Sequence, residues 1–237
     1  MDLNREELRS VIIAMVMGDG CLSCRKGRSE AFFQMSHCEA QYEYMLWKKK
    51  FLDKITSSSI HKTKRELNGK IFYGYHLGTR QHPMLTKLRK RMYYNGRKVL
   101  DEYIVKKLNP LSLAILFMDN GTHGFNPNGK DVTFYLSTEA YDYANQLLLK
   151  KSLKLKFDLD WNINKAGKTK LGNYKYRLRL RNKHNDRFVE IIKPYIVPCM
   201  RYKLGPYANL LDDKSSSDIV RPTQQCVETG RNDQSCQ

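Results

Sequence analysis

The chain has 237 residues, 41% of them hydrophobic, and its 42 Lys and Arg against 24 Asp and Glu leave a net charge of +18. That apolar content supports a folded core and excludes disorder by composition, and the length suits one large domain or two small half-domains. So large a positive excess repels itself in a compact fold and points to a polyanion, nucleic acid first, whereas the absence of an apolar run of about 18 residues or a broad-faced basic amphipathic helix argues against a membrane partner.

In chain order the elements repeat. The charged start, residues 1–7, reads as the lead into a helix and not as a signal or transit peptide. Asn4 is the expected N-cap, Glu7 completes a capping box, and Leu8, Val11, Ile12, Met15 and Val16 follow at helical spacing up to Gly18, Asp19 and Gly20. A strand is expected over 31–35, a helix over 42–51, and a hairpin of 60–65 with 71–77 around Asn68-Gly69, a strong two-residue turn signal. His82-Pro83 opens a helix through Arg91, and Asn95-Gly96 closes the first half.

Asn109 and Pro110 then start a second apolar helix that stops at Gly121. A strand over 131–136 follows, with Val132, Phe134 and Leu136 on one face. Next come a helix over 138–151, strands over 157–164 and 174–181 around a Gly- and Lys-rich turn, and a last helix over 184–192. From Pro206 the composition turns polar and aperiodic, which predicts a disordered tail over 206–237.

Two landmarks give the repeat its spacing. Asp19 and Asn120 sit at matching helix ends 101 residues apart, and Lys98 and Lys203 at matching closing positions 105 apart. Near-equal offsets argue for internal duplication, with halves at 1–105 and 106–205. A pseudo-two-fold chain suits a long DNA site with two half-sites.

The six cysteines (Cys21, Cys24, Cys38, Cys199, Cys226 and Cys236) read as reduced thiols of an intracellular compartment. Cys21, Cys24, His37 and Cys38 offer four zinc ligands on paper, but adjacent His37 and Cys38 lack the spacing of a second ligand pair. They read instead as small, half-buried junction residues. His37, His123 and His184 read as satisfied or surface histidines, and Trp47 and Trp161 as packing residues.

The strands carry unusual charge. His61, Lys62, Lys64 and Arg65 lie on one, while Lys175, Arg177, Arg179 and Arg181 alternate with Tyr176, Leu178 and Leu180 on another. Period two puts the second set of cations on one face and the apolar set beneath. Unbroken like charge along a strand favours a polyanion against it, with Arg suited to guanine edges and Lys and Arg to phosphates.

The chemistry concentrates in Ala14-Met15-Val16-Met17-Gly18-Asp19-Gly20 and Leu113-Ala114-Ile115-Leu116-Phe117-Met118-Asp119-Asn120-Gly121. Each is an apolar helix that ends in an acid or its amide, then Gly. Packed side by side, two such helices bring their partially negative C-terminal ends together, and a carboxylate there adds a hard oxygen ligand for Mg²⁺. A metal ion held there activates water and stabilises a leaving oxygen.

The second segment resembles the LAGLIDADG motif of homing endonucleases, in the single-chain, two-motif form of the I-SceI-like subgroup, and the first is a looser match. Asn95-Gly96-Arg97-Lys98-Val99 is similar to the basic segment closing the family's first half. Lys193-Pro194-Tyr195-Ile196-Val197-Pro198 with Tyr202-Lys203-Leu204 is similar to the end of its second. The resemblance spans roughly residues 8–205. It implies an α+β fold of two pseudo-symmetric αββαββα halves with antiparallel saddle sheets. It further implies a monomeric endodeoxyribonuclease that cuts both strands of a long, pseudo-palindromic duplex at an intron or intein insertion site.

The resemblance implies Mg²⁺ or another divalent cation, such as Mn²⁺ or Ca²⁺. The metal set would be Asp19 and Asn120 with Gly18 and Asp119. Asp19, Asn120, Lys98 and Lys203 would be catalytic, with Arg97 competing for the role of Lys98. His61, Lys62, Lys64, Arg65, Lys175, Arg177, Arg179 and Arg181 would hold DNA. The compartment would be an organelle or a prokaryotic cytoplasm.

One departure bears on activity. The family's second aspartate falls at Asn120, which supplies an oxygen but no charge, and Asp119 lies roughly 100° around the helix from it. An engineered non-cutting variant, a natural nicking enzyme and a scaffold turned to RNA as an intron maturase all stay open.

Overall fold

The computed structural model describes residues 3–125, 129 and 131–211. The first half runs α1 (Arg5–Met17), β1 (Cys21–Cys24), β2 (Ala31–Cys38), α2 (Tyr42–Leu52), β3 (Ser58–Leu67), β4 (Lys70–Thr79) and α3 (Pro83–Met92). A small hairpin, β5 (Tyr93–Tyr94) with β6 (Arg97–Lys98), and a short helix, α4 (Glu102–Lys106), lead to the second half. That half repeats the order: α5 (Pro110–Asn120), β7 (Gly121–Phe125), β8 (Val132–Leu136), α6 (Tyr143–Phe157), β9 (Trp161–Lys168), β10 (Tyr174–Leu180) and α7 (Asn185–Ile192). The α+β class and two pseudo-symmetric halves are as expected.

Each half carries one antiparallel four-stranded sheet, in the orders β1-β2-β4-β3 and β7-β8-β10-β9. The register fixes the faces. Leu77 pairs with Met35 and Ile60, and Leu178 with Leu136 and Ile163; these residues face the helices. Their neighbours along each strand turn to the open side.

Helices α1 and α5 form the centre. Val11 to Val16 of α1 and Leu113 to Met118 of α5 are wholly buried, so these helices are apolar all round and belong between layers. Both starts follow from the sequence. Asn4 forms its capping box with Glu7, and Asn109 forms one with Ser112 ahead of Pro110. The Asn68-Gly69 and Asn95-Gly96 pairs have positive φ at both positions, as a tight hairpin turn requires.

Several boundaries differ. Periodicity did not place the edge strands β1 and β7, which are the first strand of each half in the αββαββα order. Asn95-Gly96 turns the β5-β6 hairpin instead of simply closing the half. Helix α6 is capped by Asp142 and runs to Phe157, displacing the expected 138–151 helix and 157–164 strand. A 3-10 stretch continues to Leu211 beyond the boundary expected at 205, with Tyr207 packed on Phe134. Residues 212–237, the rest of the expected tail, lie outside the described residues. Among the described residues, no helix is long and apolar enough to cross a membrane.

Candidate active site

The C-terminal ends of α1 and α5 meet. The Asp19 backbone N–H faces Asp119 Oδ2 at 3.3 Å. Gly18 makes this approach possible, because a Cβ there would lie 2.2 Å from Asp119 Oδ2 and 2.6 Å from Asp119 Cβ. A lysine from each half caps one helix end. Lys98 Nζ donates to Gly18 O at 3.0 Å and Gly20 O at 2.8 Å, and Lys203 Nζ donates to Asp119 O at 2.8 Å. Gly18 and Asp119 hold matching places, so Lys98 and Lys203 form a matched pair. Arg97 pairs in register with Tyr94 on β6 and is exposed; Lys98 is the residue that reaches the helix end.

The two acid positions diverge. Asp19 turns toward His37 on the inner strand of its own half, Oδ2 to Nδ1 3.8 Å, and keeps 36% of its side chain accessible. Asn120 turns toward its own inner strand as well, but its Nδ2 donates to Ser137 O at 2.8 Å. Asp119 instead reaches across to the first half. Its side chain is fully buried, and its Oδ1 accepts from Tyr44 Oη at 2.8 Å and from the equally buried Lys48 Nζ.

Lys48 also donates to His37 Nε2 at 3.1 Å and lies over the Tyr44 ring at 4.2 Å. An ammonium has only donors, so His37 Nε2 is an acceptor and its proton sits on Nδ1, facing Gln41 Oε1 at 2.9 Å. Burial, then the Lys48 charge, push the His37 imidazole down to about 3, so it stays neutral.

Asp19, His37 and Asp119 offer ligand atoms within 4.8 Å of one another, and the set fits a hard divalent cation unevenly. Both His37 nitrogens and Asp119 Oδ1 are already engaged. Asp19 is accessible, and its inner burial followed by the Asp119 charge push its carboxyl up to about 6, against the pull of Lys48, Lys203 and Lys98. Crowded negative charge of this kind is relieved by a cation. Burial draws Lys98 down to about 8, with Asp19 and then Asp119 holding it up. An ammonium near that value sits close to the range useful for proton transfer.

A profile of the LAGLIDADG DNA endonuclease family matches residues 9–188. The chain belongs to this family. It is 31% identical over 208 residues to a RecA protein of Mycobacterium gastri, covering 83% of this chain and 46% of that protein. It is 27% identical over 206 residues to the cytochrome b mRNA maturase bI2 of Debaryomyces hansenii, covering 85% of this chain and 75% of the maturase. The chain thus spans about half the length of the RecA proteins it matches. Among solved structures, the homing endonuclease I-WcaI bound to its DNA recognition sequence superposes with a TM-score of 0.74 at 23% identity, over 86% of this chain and 88% of that one. At that identity the likeness speaks for the fold.

The LAGLIDADG sheets distribute the expected DNA-binding residues unequally. Lys175, Arg177, Arg179 and Arg181 share the open side of the second sheet, above buried Leu178 and Leu180. In the first sheet the register splits the set. His61 and Arg65 turn to the open side, whereas Lys62 and Lys64 share the face of Ile60, where Lys62 bonds Glu39 at 3.0 Å.

Cys21 and Cys24 pair with Gln34 and Ala31, away from His37 and Cys38, so the four do not converge on zinc. Cys24, Cys38 and Cys199 carry no disulfide, in line with their reading as reduced thiols. Cys226 and Cys236 lie outside the described residues.

The sequence reading missed Lys48 and Tyr44. A signal was present: Tyr44, Met45, Lys48, Phe51 and Leu52 form one buried helical stripe with a lysine in its middle. A cation on an apolar stripe requires a buried counter-charge.

Proposed function

We propose that the chain is a single-chain, two-motif LAGLIDADG homing endonuclease of the I-SceI-like type. It acts as a monomer on a long, pseudo-palindromic DNA duplex in an organelle or a prokaryotic cytoplasm. The observation that carries this reading is the meeting of the α1 and α5 ends, with accessible Asp19 between matched Lys98 and Lys203. Asp19, with Asp119 Oδ2 beside it, would hold a divalent cation such as Mg²⁺, with Mn²⁺ or Ca²⁺ as substitutes. When bound, that ion supplies Lewis-acid activation of water and stabilisation of the leaving oxygen.

The chain's own groups do the rest. Lys98, drawn toward neutrality by burial, holds or moves a proton at Nζ beside Asp19. Lys203 places a positive charge at the other helix end, where phosphate charge builds up. Asn120 offers an amide already tied to Ser137 O, so the second site is the weaker and nicking is the expected outcome.

The test is a supercoiled plasmid carrying the uninterrupted sequence that flanks this reading frame's insertion site, incubated with Mg²⁺. Nicked circle that disappears with Asp19→Asn supports the reading, and loss of Mn²⁺ binding by Asp19→Asn, read by electron spin resonance, checks the ligand role. Linear product would mean that Asn120 suffices for the second cut. A second reading, binding of intron RNA, draws on the likeness to the cytochrome b mRNA maturase. Retention of intron RNA, with neither cutting nor specific DNA binding, would favour it.

A further inference from the structure

The two sheets share one frame, set by Leu77 and Leu178, and matching positions on their open sides differ in kind. In the second sheet Tyr135, Arg179 and Asn162 form one cross-strand row, and Arg177 stands beside Asn164 in the next. The corresponding rows of the first sheet are Gln34, Gly78 and Ser59, then Ser36, His76 and His61. Two arginines and two asparagines in the second sheet thus stand against two serines, a glycine, two histidines and a single long amide, Gln34, in the first.

The Arg177 guanidinium lies over the Tyr135 ring at 4.4 Å, which fixes its plane. The Nε atoms of Arg177 and Arg179 are covered and without a hydrogen-bond partner. Among the described residues none of Lys175, Arg177, Arg179 and Arg181 has an acidic partner. In the matching rows of the first sheet the polar groups bond within the sheet: Ser36 Oγ bonds His76 Nδ1 at 3.0 Å, Ser59 Oγ bonds His61 Nε2 at 3.2 Å, and Gln34 Nε2 donates to Ser23 Oγ at 2.9 Å.

We propose that the second sheet is the sequence-reading half of the molecule, with Arg177 and Arg179 on guanine edges and Asn162 and Asn164 on adenine edges of one half-site. The first sheet holds the other half-site with looser preference. Arg matches guanine O6 and N7 with two bonds, and Asn matches adenine N6 and N7. In the matching rows of the first sheet Gln34 alone has the group for such a paired match, and its amide already donates to Ser23 Oγ at 2.9 Å. The proposal rests on the DNA-endonuclease reading.

The test selects a fully randomised duplex pool on the full chain without divalent cation, then sequences the retained DNA. The expected site is lopsided, with purines fixed in one half and tolerance in the other. Arg177→Ala and Arg179→Ala should each relax one position of the fixed half only and weaken binding about ten- to a hundred-fold. Both arginines stand on the open side, so these variants keep the fold. Gly78→Arg should add a preference in the tolerant half, since the nearest atom to a Cβ there is His76 Nε2 at 3.9 Å. Equal constraint in both halves, or an unchanged site in the arginine variants, would overturn the asymmetry while leaving the DNA reading intact. No enrichment at all would overturn both.

Discussion

Replacing Lys48 by methionine isolates the buried charge at the centre of the site. Lys48 and Asp119 side chains are both fully buried, so the variant strands a carboxylate away from water. Breaking a buried pair by removing one partner costs about 3–5 kcal/mol. The escape route has a similar cost, because protonating a carboxylate at pH 7 against the ordinary aspartate value near 3.9 takes about 4 kcal/mol. The two routes agree on a loss of about 4 kcal/mol. Packing adds little: Leu149 holds the matching place on α6 and is also fully buried, so the fold accepts an apolar side chain there. Adding Asp119→Asn removes the stranded charge and should recover at least half of the loss. Urea unfolding of the parent, both single variants and the double variant closes the cycle. A Lys48→Met loss under about 1 kcal/mol, or no relief from Asp119→Asn, would refute the picture of a charged, mutually compensating pair.

Three further outcomes are expected. Gly18→Ala forces a Cβ to within 2.2 Å of Asp119 Oδ2 and should destabilise by about 1–3 kcal/mol; thermal unfolding at the parent's melting temperature would show the motif ends to be looser than described. His37 is held down to about 3, so between pH 6.5 and that value the unfolded chain binds a proton that the folded chain does not. Its contribution therefore makes the protein less stable as pH falls, by about 2 kcal/mol from pH 6.5 to pH 5, and an imidazole resonance titrating near 6.5 in the folded protein would contradict this. Asn120→Asp should raise cleavage of the second strand in the plasmid assay, while loss of the bond to Ser137 O lowers stability by about 1 kcal/mol. No gain in linear product would remove the metal role from position 120.

Much of the fold was legible because its signals are local. Capping at Asn4 and Asn109, the turn at Asn68-Gly69 and the alternation of Lys175 to Arg181 each act within a few residues. What escaped depends on pairing. Strand β1 is only four residues long and exists because Cys21 to Cys24 lie against Ala31 to Gln34. The end of α6 was misplaced because Asp158 stops the helix in a left-handed conformation, φ 56°, where glycine is the usual signal. In the site, Asp19 follows from its helix end, and Lys98 from the family resemblance with Arg97 as its competitor, whereas Lys48 meets Asp119 across 71 positions of chain.

That cross-half contact bears on why the two motifs differ. Gly18 and Asp119 occupy matching places, and the Asp119 side chain fills the space a Cβ on Gly18 would need. Two aspartates at these places would collide, and two glycines would leave Lys48 buried without its counter-charge. A homodimer must repeat one residue at both places, because symmetry makes its interface identical from either side. A duplicated single chain is released from that constraint and can set an acid against a glycine. The same release allows Lys48 opposite Leu149, His37 opposite Thr138 and Asp19 opposite Asn120. Asn120 opposite Asp19 thus belongs to a wider division, in which buried Tyr44, Lys48 and His37 stand on the first half around Asp119, and the cations Lys175, Arg177 and Arg179 line the open side of the second.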